Sequence, residues 1–339
     1  MKFITRAAII RLAVLAAVLV ILLVLAYFKM IKMPGKTYSG PLPPLTAEQL
    51  TLRDQLIEDV NTLASKMGQR NIWNHKNLTA AADFLESSLT RSGYNVNRQT
   101  YTVEQKPCSN LEVQITGSKS PEQIVIVGAH YDTVFGSPGA NDNASAVAAN
   151  LALAEYLADS RPDKTLRFLF FVNEEAPFFQ TENMGSTVYA KRCTEKGENL
   201  TAMLSLETLG FYTDKPNSQS YPPPFSLFYP STGNFLAFVS NPASKDLLKS
   251  AISSFRKNCP FPSQGGAIPE IFPGINWSDH YSFWRQNYPA VMLTDTAPFR
   301  YPHYHSPNDT PDKLDYDSLA RVTTGLIAVI SELVTNNQQ

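Results

Sequence analysis

The sequence carries no excess of charge of either sign. Its 29 Lys and Arg face 30 Asp and Glu, for a net charge of −1. That excludes the electrostatic footprint of a nucleic-acid-binding protein. Cysteine is scarce: Cys108, Cys193 and Cys259 lie far apart and no CxxC occurs. That argues against a thiolate metal site or a thioredoxin-like motif, while one disulfide with one thiol left over stays open. Histidine is scarce too, at five. There is no internal repeat and no low-complexity tract in the body of the chain. What remains is ordinary globular material, 43% hydrophobic and 17% charged in 339 residues. With the N-terminal segment set aside, roughly 300 residues are left, within the range of one open α/β sheet.

One apolar run stands out. Leu12 to Phe28 is uncharged and mostly aliphatic, with Lys2, Arg6 and Arg11 before it and Lys29, Lys32 and Lys36 after it. At about 1.5 Å per residue it just reaches across a thin hydrocarbon core. Residues 1–32 are expected to be an uncleaved single-pass membrane anchor. The alternative is a signal peptide ending at Val24-Leu25-Ala26, which would give a secreted protein. The run is long for a signal peptide, and charge follows it at once. Positive flanks on both sides leave orientation open, but either reading places the rest of the chain outside the cytoplasm, periplasmic or extracellular. No cysteine follows the run, so a bacterial lipoprotein anchor is excluded.

Residues 33–46 are rich in Pro and Gly and read as a linker. The domain is expected over 47–339. Leu52, Leu56, Val60, Leu63 and Met67 recur at helical spacing across Ala47 to Met67. A second helix is expected over Leu78 to Ser92, stopped by Gly93. Asn95–Val103 and Leu111–Thr116 alternate like strands. Four further runs read as buried strands: Ile124–Ala129, Leu166–Val172, Met203–Leu206 and Ala290–Leu293. Helical patterns at Ala144–Leu157 and Gly185–Arg192 separate the first three. This order predicts a mixed, mainly parallel central sheet with helices on both faces, an α/β/α sandwich. Asp214 to Gly233 reads as a surface excursion. Leu319, Val322, Leu326, Ile330 and Leu333 mark a final amphipathic helix.

Ligands of open α/β sheets bind beyond the carboxyl ends of the strands. Here those ends are polar: His130-Tyr131-Asp132, Asn173-Glu174-Glu175 and Glu207. Asp142 stands just before a helix, and His305 follows the last strand. Taken alone, His130 reads as a packed histidine, Asp142 as a helix cap, and Glu174-Glu175 as surface charge. Together they form an O- and N-ligand set suited to divalent ions. His75, His280 and His303 fit that pattern less well. Ser278 and Asp279 read first as helix caps, and Pro177-Phe178-Phe179 as pocket wall or core.

The series GAHYDTV, GANDNASAVA, FVNEEAPFF, MGSTVYA, LSLETLG and YHSPNDTPDKLDY resembles peptidase family M28, from about Leu50 to Leu333. The resemblance implies a zinc-exopeptidase fold, two Zn2+ ions (with Co2+ or Mn2+ as alternatives) and peptide substrates. By position, it implies that Asp142 bridges the ions. Glu175 and His305 would hold the first, and His130 and Glu207 the second. It implies Glu174 as general base and Asp132 as the carboxylate that holds the His130 ring. The family often has Asp where Glu207 stands. Related Tyr-His pairs suggest that Tyr304 donates to an oxyanion, with a packing tyrosine as the equal alternative. An aminopeptidase is expected. The alternatives are another exopeptidase of the wider two-zinc group, a one-zinc glutaminyl cyclase and an inactive binding domain on the same scaffold.

Overall fold

The computed structural model describes residues 5–336. Lys2, one of the basic residues before the apolar run, lies outside the described residues. Helix α1 (Arg6–Ala26) continues through a wider turn at Tyr27–Ile31. Within it, the 22 residues Ile10–Ile31 are apolar enough to cross a membrane and are nowhere buried. At about 1.5 Å per residue they match a hydrocarbon core of about 30 Å. The Pro- and Gly-rich segment that follows is pinned. Met33 is buried, Arg256 Nη1 donates to Pro34 O at 2.9 Å, and Ser263 N–H donates to Thr37 Oγ1 at 2.8 Å.

Thr46 starts α2 (Ala47–Val60) with a capping box closed by Gln49. Then come α3 (His75–Arg91), β1 (Asn97–Val103), β2 (Lys106–Ile115), β3 (Ser120–His130) and α4 (Ala146–Leu157). β4 (Lys164–Phe171), α5 (Gly185–Glu195) and β5 (Asn199–Glu207) follow. The C-terminal part adds β6 (Leu236–Ser240), α6 (Lys245–Asn258), β7 (Ser263–Ala267), α7 (His280–Arg285), β8 (Ala290–Thr294), the short α8 (Ala297–Arg300) and α9 (Tyr316–Val334).

The strands form one sheet in the order β1-β2-β4-β3-β5-β8-β6-β7. Its centre, β4-β3-β5-β8, is parallel. β1 and β2 on one side, and the β6–β8 pairing on the other, are antiparallel. The mixed sheet therefore agrees with the expected class. β6, α6 and β7 were not anticipated. The Ser-Gln-Gly-Gly-Ala run of β7 has no strand signature of its own, and it is strand only because it pairs with β6.

α2, α3, α4, α6 and α9 cover one face, and α5 and α7 cover the other. α4 is buried almost along its whole length. That explains its Ala-rich sequence, since small side chains let it lie close against the sheet. α9 turns Leu326, Val329 and Ile330 into the larger core, and each such burial contributes roughly 1.5–3 kcal/mol. The smaller core on the opposite face centres on Phe171, Tyr189 and Phe283. Among the described residues all three cysteines are buried free thiols.

Candidate metal and active site

Because β3, β4 and β5 run parallel, their carboxyl ends open on one edge of the sheet. β3 ends on His130, Glu174 and Glu175 follow β4, and β5 ends on Glu207. Asp142 comes from the irregular segment Ala140–Ser145 between β3 and α4. Gly139 admits that segment. It takes a left-handed φ of 62°, and a Cβ there would stand 2.3 Å from Asp142 O and 2.4 Å from Thr133 Cγ2. Only glycine fits. The Asp142–Asn143 peptide is cis. His305 enters from the segment after α8, with φ of 54°.

These residues converge as two trios that share Asp142. Its Oδ1 lies 3.4 Å from His130 Nε2, which is also 3.4 Å from Glu207 Oε2. Its Oδ2 lies 3.0 Å from His305 Nε2, which is 3.3 Å from Glu175 Oε2. Glu174 Oε2 stands 3.8 Å from His130 Nε2. His130 Nε2 and Asp142 Oδ1 are buried without a hydrogen-bond partner. Buried polar atoms are rarely left so, and here they point at one another from an all-oxygen and imidazole set. The residues fit a divalent ion in each trio, of the kind that accepts N and O ligands.

Electrostatics make the same point. Burial raises the Glu174 carboxyl well above its usual value against the pull of His130, and Glu175 and Glu207 push it further up. Burial and Asp142 lift Glu175 to about 7 despite His305. Burial would lower His305, but Asp142 and Glu175 hold it up at about 10. Negative charge outweighs what two imidazoles can neutralise, and bound cations would balance it.

Supporting contacts fix each side chain. Asp132 Oδ1 lies 3.5 Å from His130 Nδ1, and its carboxylate accepts the Glu174 and Glu175 N–H groups, both at 3.1 Å. Glu175 Oε1 accepts Val134 N–H. Ser278, expected as a cap, instead donates to Glu207 Oε2 at 2.7 Å. Asp279 precedes α7 but makes no capping bond with its side chain, and both its carboxylate oxygens are buried without a partner. Tyr304 stacks on His305 with ring centroids 3.8 Å apart. Phe178 is buried and stacks on Trp73. His75, His280 and His303 serve elsewhere, the first two bonded to the Pro107 and Ile275 carbonyls.

Two further residues support the site, and the sequence assigned neither a role. Asp309 accepts Asn141 N–H at 2.8 Å and Asp142 N–H at 3.1 Å, so it clamps the backbone that carries Asp142. Arg70 is fully buried and donates to the carbonyls of Leu63, Gly68, Tyr131, Pro138 and Gly139. Burial lowers its guanidinium to about 10, so it stays charged at neutral pH. It ties the loop after β3 to the end of the α2 segment. Arg70→Met strands those carbonyls without donors. The expected loss is about 3 kcal/mol or more of unfolding free energy, read as a lower urea midpoint at unchanged slope. An unchanged midpoint would remove Arg70 from this role.

Beside the trios opens a cavity of about 860 Å³, counting its mouth. Glu207 and Tyr304 border it, and Tyr221, Phe225, Tyr229, Phe235, Trp277 and Phe299 are among its walls. The excursion over residues 214–233 thus forms part of the cavity wall. Lone aromatic residues in a Pro-rich stretch could not announce that.

Comparison with known proteins agrees with this geometry. The peptidase family M28 profile matches residues 110–330. An uncharacterised Escherichia coli protein, YfbL, is 33% identical over 82% of this chain and 87% of its own length. A probable aminopeptidase of Saccharomyces cerevisiae is 24% identical over 75% of this chain and 66% of its own. Among solved structures, a zinc aminopeptidase from Bacillus subtilis superposes with a TM-score of 0.68 at 15% identity, over 85% of this chain and 96% of that one. A glutaminyl cyclase from Fimbriiglobus ruber reaches 0.60 at 20% identity, over 88% and 99%. At such identities the superpositions speak for the fold, while the profile match and the Escherichia coli relative speak for descent. With the ordered motifs and the paired trios, they establish that the chain belongs to peptidase family M28.

Proposed function

We propose that this chain is a two-zinc aminopeptidase whose domain is held at a membrane surface outside the cytoplasm. The observation that carries the reading is the division of Asp142, one oxygen toward each imidazole–carboxylate pair. His130, Glu207 and Asp142 would hold one ion, and His305, Glu175 and Asp142 the other. The names of the yeast and Bacillus proteins support the activity.

Bound zinc supplies Lewis acidity, which polarises a carbonyl and lowers the pKa of water toward roughly 7. The chain's own residues do the rest. Glu174 takes a proton from the attacking water as the carbon–oxygen bond forms. It delivers that proton to the leaving amine as the carbon–nitrogen bond breaks. Glu175 accepts Val134 N–H with one oxygen and would hold an ion with the other, which leaves Glu174 free for proton transfer. Asp132 holds both backbone amides and so keeps the two glutamates apart in role. Tyr304, kept protonated by burial and by the nearby Asp142 and Glu175 carboxylates, donates to the carbonyl oxygen as it gains charge. The aromatic cavity receives the side chain of the N-terminal residue, which favours bulky apolar residues.

In this reading residues 1–32 anchor the protein, 33–46 tether it and 47–339 form the catalytic domain. The test is metal analysis of the purified chain with a panel of aminoacyl-arylamides. Two zinc per chain are expected, with chelator-sensitive hydrolysis that zinc restores and with Leu and Phe ahead of Asp and Lys. One zinc, with cyclisation of Gln-starting peptides and no hydrolysis, would indicate a cyclase. A chain that takes up no metal would indicate a binding scaffold.

A further inference from the structure

The excursion over residues 214–233 carries exposed apolar side chains at its tip. Leu227 is 79% exposed and Phe228 43%. The loop is held firmly. Tyr221 Oη donates to Pro230 O at 2.6 Å, Tyr229 Oη to Gly265 O at 2.9 Å, and Thr213 N–H to Gly233 O at 2.9 Å. Its tip cannot fold inward without breaking these bonds. The Phe228 ring lies 6.1 Å from the ring of Tyr27, at the end of the apolar helix. Tyr27 and Phe28 are the aromatic residues at that end, where membrane helices place their interfacial belt. Lys29, Lys32 and Lys36 follow, all exposed, with Lys32 Nζ over the Phe28 ring at 4.8 Å. A ring that close to an interfacial tyrosine sits at the same depth, and Leu227 adjoins it.

We propose that the Leu227–Phe228 tip seats in the headgroup region of an anionic lipid bilayer, beside the point where α1 leaves it. The occupant of this apolar tip is the membrane itself, because the tip is continuous with the helix end, and the lysines complement anionic headgroups. Phe225 and Tyr229, on either side of the tip, also line the cavity next to Glu207. Part of the cavity wall therefore lies at the lipid surface. The enzyme is suited to apolar N-termini of peptides that are themselves partitioned into the membrane.

The inference rests on α1 spanning the bilayer, and its test separates the two. The full chain is reconstituted into phosphatidylcholine–phosphatidylglycerol vesicles that contain brominated lipid. A fluorescent thiol label is placed at Leu227→Cys, at Leu19→Cys within α1, or at Tyr156→Cys on α4. The native cysteines are buried, so labelling is selective. The expected result is loss of fluorescence at positions 19 and 227, with position 156 unaffected. Quenching at 19 but not at 227 overturns the docking and keeps the anchor. Quenching at neither overturns both. Quenching at 227 no greater than at 156 also overturns the docking.

Discussion

Replacing Glu174 by glutamine is expected to leave two zinc ions bound and to lower kcat about 100- to 10,000-fold, the range for loss of a general acid–base group. That is about 3–5 kcal/mol of barrier. The substitution keeps the shape of the side chain and removes its capacity to accept a proton. The Glu174 N–H still donates to Asp132, so the loop that carries Glu175 keeps its geometry. KM should change little, because the side chain acts on the attacking water and not on the bound N-terminal residue. Metal analysis and steady-state kinetics on the same preparation decide it. Turnover near that of the parent enzyme would take the base role away from Glu174. Lost metal would mean that Glu174 is a ligand.

Asp142→Ala should have a different signature. One substitution removes an oxygen from each trio, so zinc content should fall from two per chain toward none, and hydrolysis should fall with it. The loss in affinity should exceed the 10- to 100-fold that follows removal of a merely supporting partner. Glu207→Ala is the instructive control. It strips a ligand from the His130 trio alone, and the His305, Glu175 and Asp142 trio remains, so about one ion should stay. If Asp142→Ala and Glu207→Ala lose the same amount of zinc, Asp142 does not bridge.

Both experiments aim at residues that the sequence made visible, and the reason is geometric. In a parallel sheet, every strand's carboxyl end faces the same edge, so His130, Glu174, Glu175 and Glu207 could be grouped before their distances were known. The structure does group them, with Asp142 and His305 among them. Asp309 lies within the YHSPNDTPDKLDY stretch, but nothing in that stretch says which backbone it binds, and Arg70 is a lone polar residue with no period and no motif. Their importance lies entirely in the distant backbone groups they bind. Ser278 was seen but misjudged. Its place before α7 suggested a cap, and only the approach of β5 reveals Glu207 as its partner. The outer part of the sheet was obscure for a related reason. Leu236–Ser240 is a five-residue run, and β7 is rich in glycine. The pattern of α6 was legible in principle, since Leu248, Ala251, Ile252 and Phe255 face the core at helical spacing.

The order of the ligands along the chain sets a schedule for synthesis. His130, Asp142 and Glu207 are all made well before His305 is. While the chain is still emerging, the segments of the first trio exist and the second trio lacks an imidazole. The Asp309 clamp on Asp142, from the same late stretch, is missing as well. β8, which flanks the strand that ends in Glu207, also arrives late. A chain of this design has no complete second trio until His305 has been made.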